Sequence, residues 1–232
     1  MTLCVFGASG PVGRAVVGQA LARGHGVVAV TRNPDAFGLS APRLRVVGAD
    51  ILDAAEVEAA LDGADAVISA VGAAPGSAPV TTYSAGMANV MAAMRARDLR
   101  RVVCVTSKNL AEGGHAGEPL LYRLVFARLL GRIAGTLYDD MRRMEELVRA
   151  SDLDWTIVRP AGLFAAERVT AYRSTTGHEP GVSTSTADLA DALVDEVVGD
   201  DQHVGETLEV LTDDGKPPFL LLLARQATLH RR

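Results

Sequence analysis

A glycine-rich turn between a strand pattern and a helix pattern constrains the fold of this chain more than any other feature. The strand pattern is the apolar run Leu3–Phe6, and the helix pattern, rich in alanine, runs from Val12 to Arg23. Between them lies the turn Gly7-Ala8-Ser9-Gly10-Pro11-Val12-Gly13. A strand that leads into a G-x-x-G-x-x-G turn and then a helix predicts the first βα unit of a parallel sheet.

Each glycine of this turn has a separate predicted role. Gly7 permits the tight turn, Gly10 lets the backbone approach a pyrophosphate, and Gly13 lets the helix pack close to the sheet. The helix N-terminus supplies oriented amides and a positive dipole for the phosphates. Pro11 has no amide to donate, but its fixed φ suits the first helical position. The turn therefore predicts a dinucleotide site, with an ordinary glycine-rich turn as the alternative.

Short apolar runs alternate with helical patterns along most of the chain. The predicted strands are Leu3–Phe6, Val27–Thr31, Leu44–Gly48, Ala66–Ala70, Val102–Thr106, Thr156–Val158 and, later, Thr207–Leu211. The predicted helices are Val12–Arg23, Ala54–Leu61, Tyr83–Arg97, Tyr138–Ala150 and Ala187–Val198. This alternation predicts an α/β fold built on a parallel sheet.

The length of 232 residues fits one domain, and we expect residues 1–232 to form a single NAD(P)-binding Rossmann domain. Two excursions from the sheet, at about 109–136 and 164–185, are expected on the substrate side. The segment 213–232 is a C-terminal extension that contains the apolar run PFLLLLARQATLH. An apolar run of this kind favours an apolar partner, so a homodimer is a hypothesis.

Composition argues against several other classes of protein. The net charge of −5 and the small set of one Trp, four Tyr and five Phe disfavour a nucleic-acid surface. No apolar run approaches the roughly 20 residues that cross a bilayer, so we expect no membrane span. Cys4 and Cys104 lie in apolar runs, which predicts buried thiols and a cytoplasmic location. The five histidines show no metal-ligand spacing, and we expect no metal site.

The end of the second predicted strand favours NADP(H) over NAD(H). An acidic residue at this position binds the free 2′-hydroxyl of NAD, whereas an arginine can pair with a 2′-phosphate. Here the chain reads Thr31-Arg32-Asn33, with no carboxylate. Arg32 can form a bidentate pair with the phosphate, and Thr31 and Asn33 can add hydrogen bonds. The alternative is that Arg32 is simply exposed.

Six motifs carry a family resemblance. GASGPVG, TRNP, GADILD, AVGA, VVCVTS and WTIVRPAGL occur in an order and spacing similar to that of the atypical short-chain dehydrogenase/reductase superfamily. The chain most resembles the NAD(P)H-binding branch related to flavin and biliverdin-IXβ reductases. This resemblance implies a Rossmann-type doubly wound parallel sheet with a small C-terminal substrate-binding region, and NADPH as the cofactor. The resemblance implies that the cofactor is bordered by Asp50 and Ile51 at the adenine, Ala70, Val71 and Gly72 at the ribose and nicotinamide, Thr106 and Ser107 at the reacting ring, and Pro160. Asp50 could instead cap the following helix.

The catalytic residues are less well defined, because the chain departs from the Tyr-x-x-x-Lys pair of many members. Tyr138 and Arg142 keep the helical spacing, with arginine in place of lysine. Tyr138 is a candidate acid or a packing residue at a helix start, and Arg142 is a candidate support for the tyrosine or the ribose. Ser107 is the stronger candidate, as a hydrogen-bond donor to the acceptor. Lys108 could contact a ligand or lie on the surface.

These residues predict an NADPH-dependent oxidoreductase. Hydride would pass to a small molecule with a carbonyl, enone, quinone or flavin-like ring. Two alternatives stay open because the fold excludes neither: an NADP(H)-binding redox sensor without turnover, and an isomerase, dehydratase or cyclase on the same fold.

Overall fold

The central strands of this chain are apolar at nearly every position because helices cover both faces of the sheet.

The computed structural model describes residues 1–73, 78–111, 135–200 and 202–214. The strands within this part are β1 (Thr2–Phe6), β2 (Gly26–Thr31), β3 (Leu44–Gly48), β4 (Ala66–Ser69), β5 (Arg101–Val105), β6 (Asp154–Pro160), β7 (Gly162–Phe164), β8 (Tyr172–Thr175), β9 (Ser183–Ser185) and β10 (Glu206–Thr212). The helices are α1 (Pro11–Ala22), α2 (Ala54–Ala60), α3 (Thr82–Ala96), α4 (Gly135–Arg149) and α5 (Thr186–Val198).

The predicted Rossmann-type sheet is confirmed. Among the described residues, eight strands join in the order β3-β2-β1-β4-β5-β6-β10-β8, and every pair is parallel except β10 with β8. The chain runs outward from β1 to β3 on one side and from β4 to β10 on the other. The strand order therefore reverses between β1 and β4, which is where open α/β sheets bind ligands.

Two apolar cores lie on opposite faces of the sheet. Leu3 and Val5 face the core formed with α1 and α5. Cys4 and Phe6 point the other way, into the core formed with α2, α3 and α4. This alternation follows from the two-residue period of a strand. Cys104 lies in the same core as Cys4, and both are free thiols, so the prediction of buried thiols is confirmed.

The seven predicted strands and five predicted helices are present, with ends that agree to within three residues. The segment 164–185 differs from the prediction, because it does not leave the sheet entirely. Its β8 pairs antiparallel with β10 at the sheet edge, and its β9 pairs with β7 in a separate two-stranded sheet. Most of the other excursion, residues 112–134, and most of the C-terminal extension, residues 215–232, lie outside the described residues.

Two expected absences can be compared with the described part of the chain. None of its helices is both long enough and apolar enough to pass through a bilayer. Within the same residues, no group of His, Cys, Asp and Glu side chains has the arrangement of a metal site.

Candidate functional site

The glycine turn has the geometry that its sequence predicts. Gly7 has a φ of 76°, in the left-handed region, and a Cβ there would lie 2.5 Å from the Ala70 carbonyl oxygen. A Cβ on Gly13 would lie 2.2 Å from the Gly7 carbonyl oxygen. Both positions thus require glycine because of contacts within the protein.

Gly10 differs from the other two glycines. A Cβ at this position would meet only the Gly7 carbonyl oxygen, at 3.4 Å, and the backbone has an ordinary extended conformation with φ −70° and ψ 164°. The protein itself therefore tolerates a side chain at Gly10. Gly10 lines the cleft, and without a Cβ its backbone is open to the close approach that a dinucleotide phosphate needs.

The N-terminus of α1 lies directly behind this space. Gly10 is the N-cap and Pro11 the first helical residue, as predicted, and no side chain caps the helix. The first turn of the helix contains no acidic residue. The amides of Val12 and Gly13 and the positive end of the helix dipole are therefore available to an anion.

A cleft of about 860 Å³ follows the carboxyl edge of the sheet and passes in front of the turn. Predicted cofactor residues make up half of its lining: Gly7, Ser9, Gly10, Pro11, Val12, Thr31, Arg32, Asp50, Ile51, Ala70, Val71, Gly72, Thr106 and Pro160. Ala8, Gly13, Asn33 and Ser107 do not line it. Ala8 and Gly13 are buried beneath the turn, where they shape it. The sequence did not predict Tyr83, Met141 or Leu163, which also line the cleft.

One end of the cleft carries the only charged side chains in its described lining, Arg32 and Asp50. Arg32 is exposed and makes no hydrogen bond or ion pair with any described residue. Asp50 accepts a hydrogen bond from the Leu52 amide at 3.0 Å. The alternative that Asp50 caps the next helix is wrong, because Asp53 caps α2 by accepting from two of its amides.

The β5 end brings Ser107 and Asn109 together with Tyr138, which lies 29 residues beyond Asn109 in the sequence. The Asn109 side-chain amide donates to the Tyr138 hydroxyl at 2.7 Å, and the Asn109 backbone amide donates to the Ser107 hydroxyl at 3.2 Å. The Ser107 hydroxyl also acts on Tyr138 and lowers its pKa. Burial raises the pKa of Tyr138, and the hydrogen bonds with Asn109 and Ser107 offset only part of this effect. The sequence suggested Ser107 and Tyr138 but not Asn109.

Arg142 does not join this group. Its guanidinium forms an exposed ion pair with Asp139 at 2.6 Å, one turn along α4. The groups that act on the pKa of Tyr138 are Asn109 and Ser107, both neutral, and not Arg142. The comparison with the Tyr-x-x-x-Lys pair suggested Arg142 as a cationic support for Tyr138, but Arg142 pairs with Asp139 instead.

Lys108 is neither a surface residue nor part of the cleft lining, which corrects both interpretations of it. It is 5% exposed and donates to the carbonyl oxygens of Glu179 at 2.5 Å and Gly181 at 2.8 Å. Its ammonium group lies 3.8 Å from the carboxylate of Glu209, which also contacts the His178 ring at 2.9 Å. Lys108 therefore holds the backbone of Glu179 and Gly181, near the end of the 164–185 segment, close to Ser107.

A buried carboxylate lies directly behind the cleft. Glu145 on α4 is 2% exposed and accepts a hydrogen bond from the Thr106 hydroxyl at 2.7 Å. Arg159 holds both carboxylate oxygens, at 2.9 and 2.6 Å, and Arg149 adds a contact at 2.9 Å. Burial alone would raise the pKa of Glu145, but Arg159, Thr106 and Arg149 together outweigh it and lower that pKa. Glu145 is thus an ionised group.

A parallel doubly wound sheet with an open glycine turn at its switch point defines an NAD(P)-binding Rossmann protein. Comparison with known proteins agrees. The family model described as NAD(P)H-binding matches residues 7–199, and the chain belongs to this family. The resemblance drawn from the sequence motifs is confirmed at this level.

Relatives and solved structures give the same result. An uncharacterized chloroplastic protein of Arabidopsis thaliana is 33% identical over 167 residues, which are 68% of this chain and 58% of that protein. The chain spans 15 to 58% of the length of the first relatives that it matches.

Two solved structures show the fold. A short-chain dehydrogenases/reductase from Veillonella parvula DSM 2008, in complex with NADP, has a TM-score of 0.76 at 17% identity and covers 94% of this chain and 99% of its own. ChuY, an anaerobillin reductase from Escherichia coli O157:H7, has a TM-score of 0.71 at 24% identity and covers 94% and 100%.

Proposed function

We propose that this protein is an NADPH-dependent reductase acting on a small molecule with a carbonyl, enone, quinone or flavin-like ring. The family assignment supports an NAD(P)H-dependent oxidoreductase in general. The observation that carries the finer proposal is the cleft along the carboxyl edge of the sheet, which runs from Arg32 past the glycine turn to Thr106 and Leu163. One continuous cleft offers room for an extended dinucleotide and for an acceptor at its far end.

The chain's own residues would hold the cofactor along this cleft. The amides at the start of α1 and the open space at Gly10 suit the pyrophosphate. Arg32, with no charged partner among the described residues, suits the 2′-phosphate of NADPH. Ala70, Val71 and Gly72 offer an uncharged surface beneath the ribose and nicotinamide. When bound, the nicotinamide supplies the hydride, and the protein's task is to orient the acceptor and exclude water.

Ser107 and Tyr138 do not line the cleft, but Ser107 directly follows Thr106, which does, and the two hydroxyl groups would hold the oxygen of an acceptor that reaches past this end of the cleft. Asn109 donates to the Tyr138 hydroxyl and does not accept from it, so this contact leaves the hydroxyl proton of Tyr138 unused. This leaves a hydrogen-bond donor for a carbonyl oxygen on which negative charge develops during reduction. Because burial raises the pKa of Tyr138, the tyrosine keeps its proton at neutral pH and can act as that donor.

The wall on this side of the cleft suits an apolar ring. It is lined by Pro79, Val80, Met141, Pro160 and Leu163, and Leu163 is 40% exposed. Such a wall can pack against the face of a conjugated ring or an aliphatic ketone, and burial of that apolar surface would favour binding.

The cofactor preference is tested by titrating the wild-type protein and Arg32→Ala with NADPH and NADH. We expect wild type to prefer NADPH, and Arg32→Ala to lose about tenfold or more in NADPH affinity with little change for NADH, because a charge-assisted phosphate pair is lost. Arg45→Ala is the matched control, since Arg45 is also exposed but lies at the amino end of the sheet beside Asp62. An unchanged preference in Arg32→Ala would contradict the NADP assignment.

The reaction itself is tested by NADPH oxidation with quinones, flavins, enones and ketones. We expect at least one class to be reduced with one NADPH consumed per product. Tight cofactor binding without turnover on any of them would favour the redox sensor, a possibility that stays relevant because no described residue gives Tyr138 a cationic partner. Product formation without net consumption of NADPH would favour an isomerase, dehydratase or cyclase.

A further inference from the structure

Thr106 is the described polar side chain that connects the cleft with the buried charges behind it. It lines the cleft, yet it is only 4% exposed, so a ligand would meet its hydroxyl in a site from which water is largely excluded. Its backbone amide donates a hydrogen bond to the Val158 carbonyl oxygen at 2.9 Å. The hydroxyl is the one polar group of the Thr106 side chain, so it is the side-chain group that could hydrogen-bond with a ligand.

The direction of the Thr106 hydrogen bond is fixed by the charge of Glu145. An ionised carboxylate accepts hydrogen bonds and cannot donate them, so the Thr106 hydroxyl must donate in the 2.7 Å contact. Three further contacts from Arg159 and Arg149 keep the carboxylate ionised and in place. The single proton of the hydroxyl is thus committed to Glu145.

A hydroxyl whose proton is committed offers only lone pairs to a ligand. It can accept from an N–H or O–H group, and it repels a carbonyl or phosphate oxygen placed at the same distance. This distinguishes Thr106 from the neighbouring Ser107 and Tyr138 pair, which retains a proton to donate. The two sides of the β5 end therefore have opposite hydrogen-bonding character.

We propose that Thr106 is a specificity-determining hydrogen-bond acceptor for an N–H or O–H group on the nicotinamide riboside, and that Glu145 is the positioning residue that fixes this direction. The proposal rests on the proposed function, because it assumes that the nicotinamide end of the cofactor lies at the β5 end of the cleft. Two donors on that part of the cofactor fit the same chemistry: the carboxamide N–H groups and the ribose hydroxyls.

Calorimetric titration with NADP⁺ and with its 3-acetylpyridine analogue tests the proposal without measuring turnover. The analogue carries a methyl ketone in place of the carboxamide and so has no N–H donor there. We expect Thr106→Val to bind NADP⁺ about tenfold more weakly than wild type, because the ligand donor loses its acceptor. Thr106→Ser keeps the hydroxyl and is expected to stay within about threefold of wild type.

The analogue distinguishes the two donors. If the carboxamide is the donor, Thr106→Val weakens binding of NADP⁺ but not of the analogue. If a ribose hydroxyl is the donor, it weakens both ligands equally. Equal affinity of Thr106→Val and wild type for both ligands would overturn the proposal. Wild type that binds neither ligand would instead overturn the proposed function.

The role of Glu145 is tested by Glu145→Gln, which leaves the hydroxyl free to rotate. We expect weaker NADP⁺ binding, and we expect the double variant with Thr106→Val to bind no more weakly than Thr106→Val alone. Additive losses would overturn the positioning role. Arg149→Gln is the control, because it removes an outer contact of Glu145 and leaves Thr106 and Arg159 in place. If Glu145→Gln does not fold, Thr106→Val and Thr106→Ser decide the proposal.

Discussion

Single residues on α4 show how this protein accommodates charge beneath its cleft. Glu145 and Glu146 are adjacent, yet the first is buried against Arg159 and Arg149 and the second is exposed. A buried carboxylate is tolerated only when its partners compensate for the lost hydration. The bidentate contact from Arg159 and the hydroxyl of Thr106 provide that compensation, so Glu145 contributes to stability only in its ionised form.

The pH dependence of stability follows from the lowered pKa of Glu145. A carboxyl whose pKa is lower in the folded state stabilises the fold above its unfolded pKa, and this contribution is lost as the pH falls through the folded pKa. We expect Glu145→Gln to lower the free energy of unfolding by about 3 kcal/mol at pH 7. The difference from wild type should shrink below about pH 4.5, near the ordinary value for a glutamate. Urea unfolding across this range measures it.

The control for this prediction is Glu146→Gln. It removes the same charge from an exposed position and should change the unfolding free energy by less than about 0.5 kcal/mol. If the two variants gave the same pH profile, the contacts of Glu145 would not be responsible for its effect.

At the scale of elements, α3 and α4 are joined by a cap that comes from outside the helix. Thr81 is the N-cap residue of α3, but its side chain makes no hydrogen bond with the first amides of that helix. Asp140 on α4 does so instead, by accepting from the amides of Tyr83 at 2.8 Å and Ser84 at 3.4 Å, and from the Ser84 hydroxyl. Asp140 is fully buried, and the Tyr83 amide that donates to it is buried as well, so water cannot readily replace the carboxylate at that amide.

Substitution of Asp140 should therefore destabilise the protein. We expect Asp140→Ala to lower the unfolding free energy by about 2 kcal/mol or more, because it leaves buried donors of α3 unpaired. Asp139→Ala is the matched control, since Asp139 is the preceding residue and, among the described residues, pairs only with the exposed Arg142. Its effect should be below about 0.5 kcal/mol. Similar losses in the two variants, measured by thermal unfolding, would show that the cap contributes little.

The elements that the sequence revealed are those with a local pattern. β1, β2 and β5 are covered on both faces and therefore appear as continuous apolar runs. β8, with the sequence YRST, lies at the sheet edge with two exposed residues, so it has no apolar pattern to detect. The same limit applies to the site. Gly7 to Gly13 is one short motif, whereas Asn109 and Tyr138 are 29 residues apart and Thr106 and Glu145 are 39 apart.

At the scale of the whole molecule, the reversal of strand order between β1 and β4 places the glycine turn and the cleft. Phe6 and Ser69 are paired at the carboxyl ends of these strands, and Gly7 and Ala70 follow them directly. A side chain on Gly7 would strike the Ala70 backbone, so the two loops are in close contact before they diverge around the cleft. The turn thus links the topology of the sheet to the binding of the cofactor.

Substitutions at two glycines of the turn should differ in their effect on stability. Gly13→Ala places a Cβ 2.2 Å from the Gly7 carbonyl oxygen, so it should lower the unfolding free energy by about 2 kcal/mol. Gly10→Ala meets no such obstacle, and we expect it to change the unfolding free energy by less than about 1 kcal/mol.

Titration of Gly10→Ala with NADPH tests the central claim most directly, because only a bound phosphate would occupy the space that the new methyl group fills. We expect wild type to bind NADPH and Gly10→Ala to bind it at least about tenfold more weakly, with a thermal unfolding curve close to that of wild type. If Gly10→Ala bound NADPH as tightly as wild type, the pyrophosphate would not lie at this turn, and the assignment of the cleft as the cofactor site would be wrong.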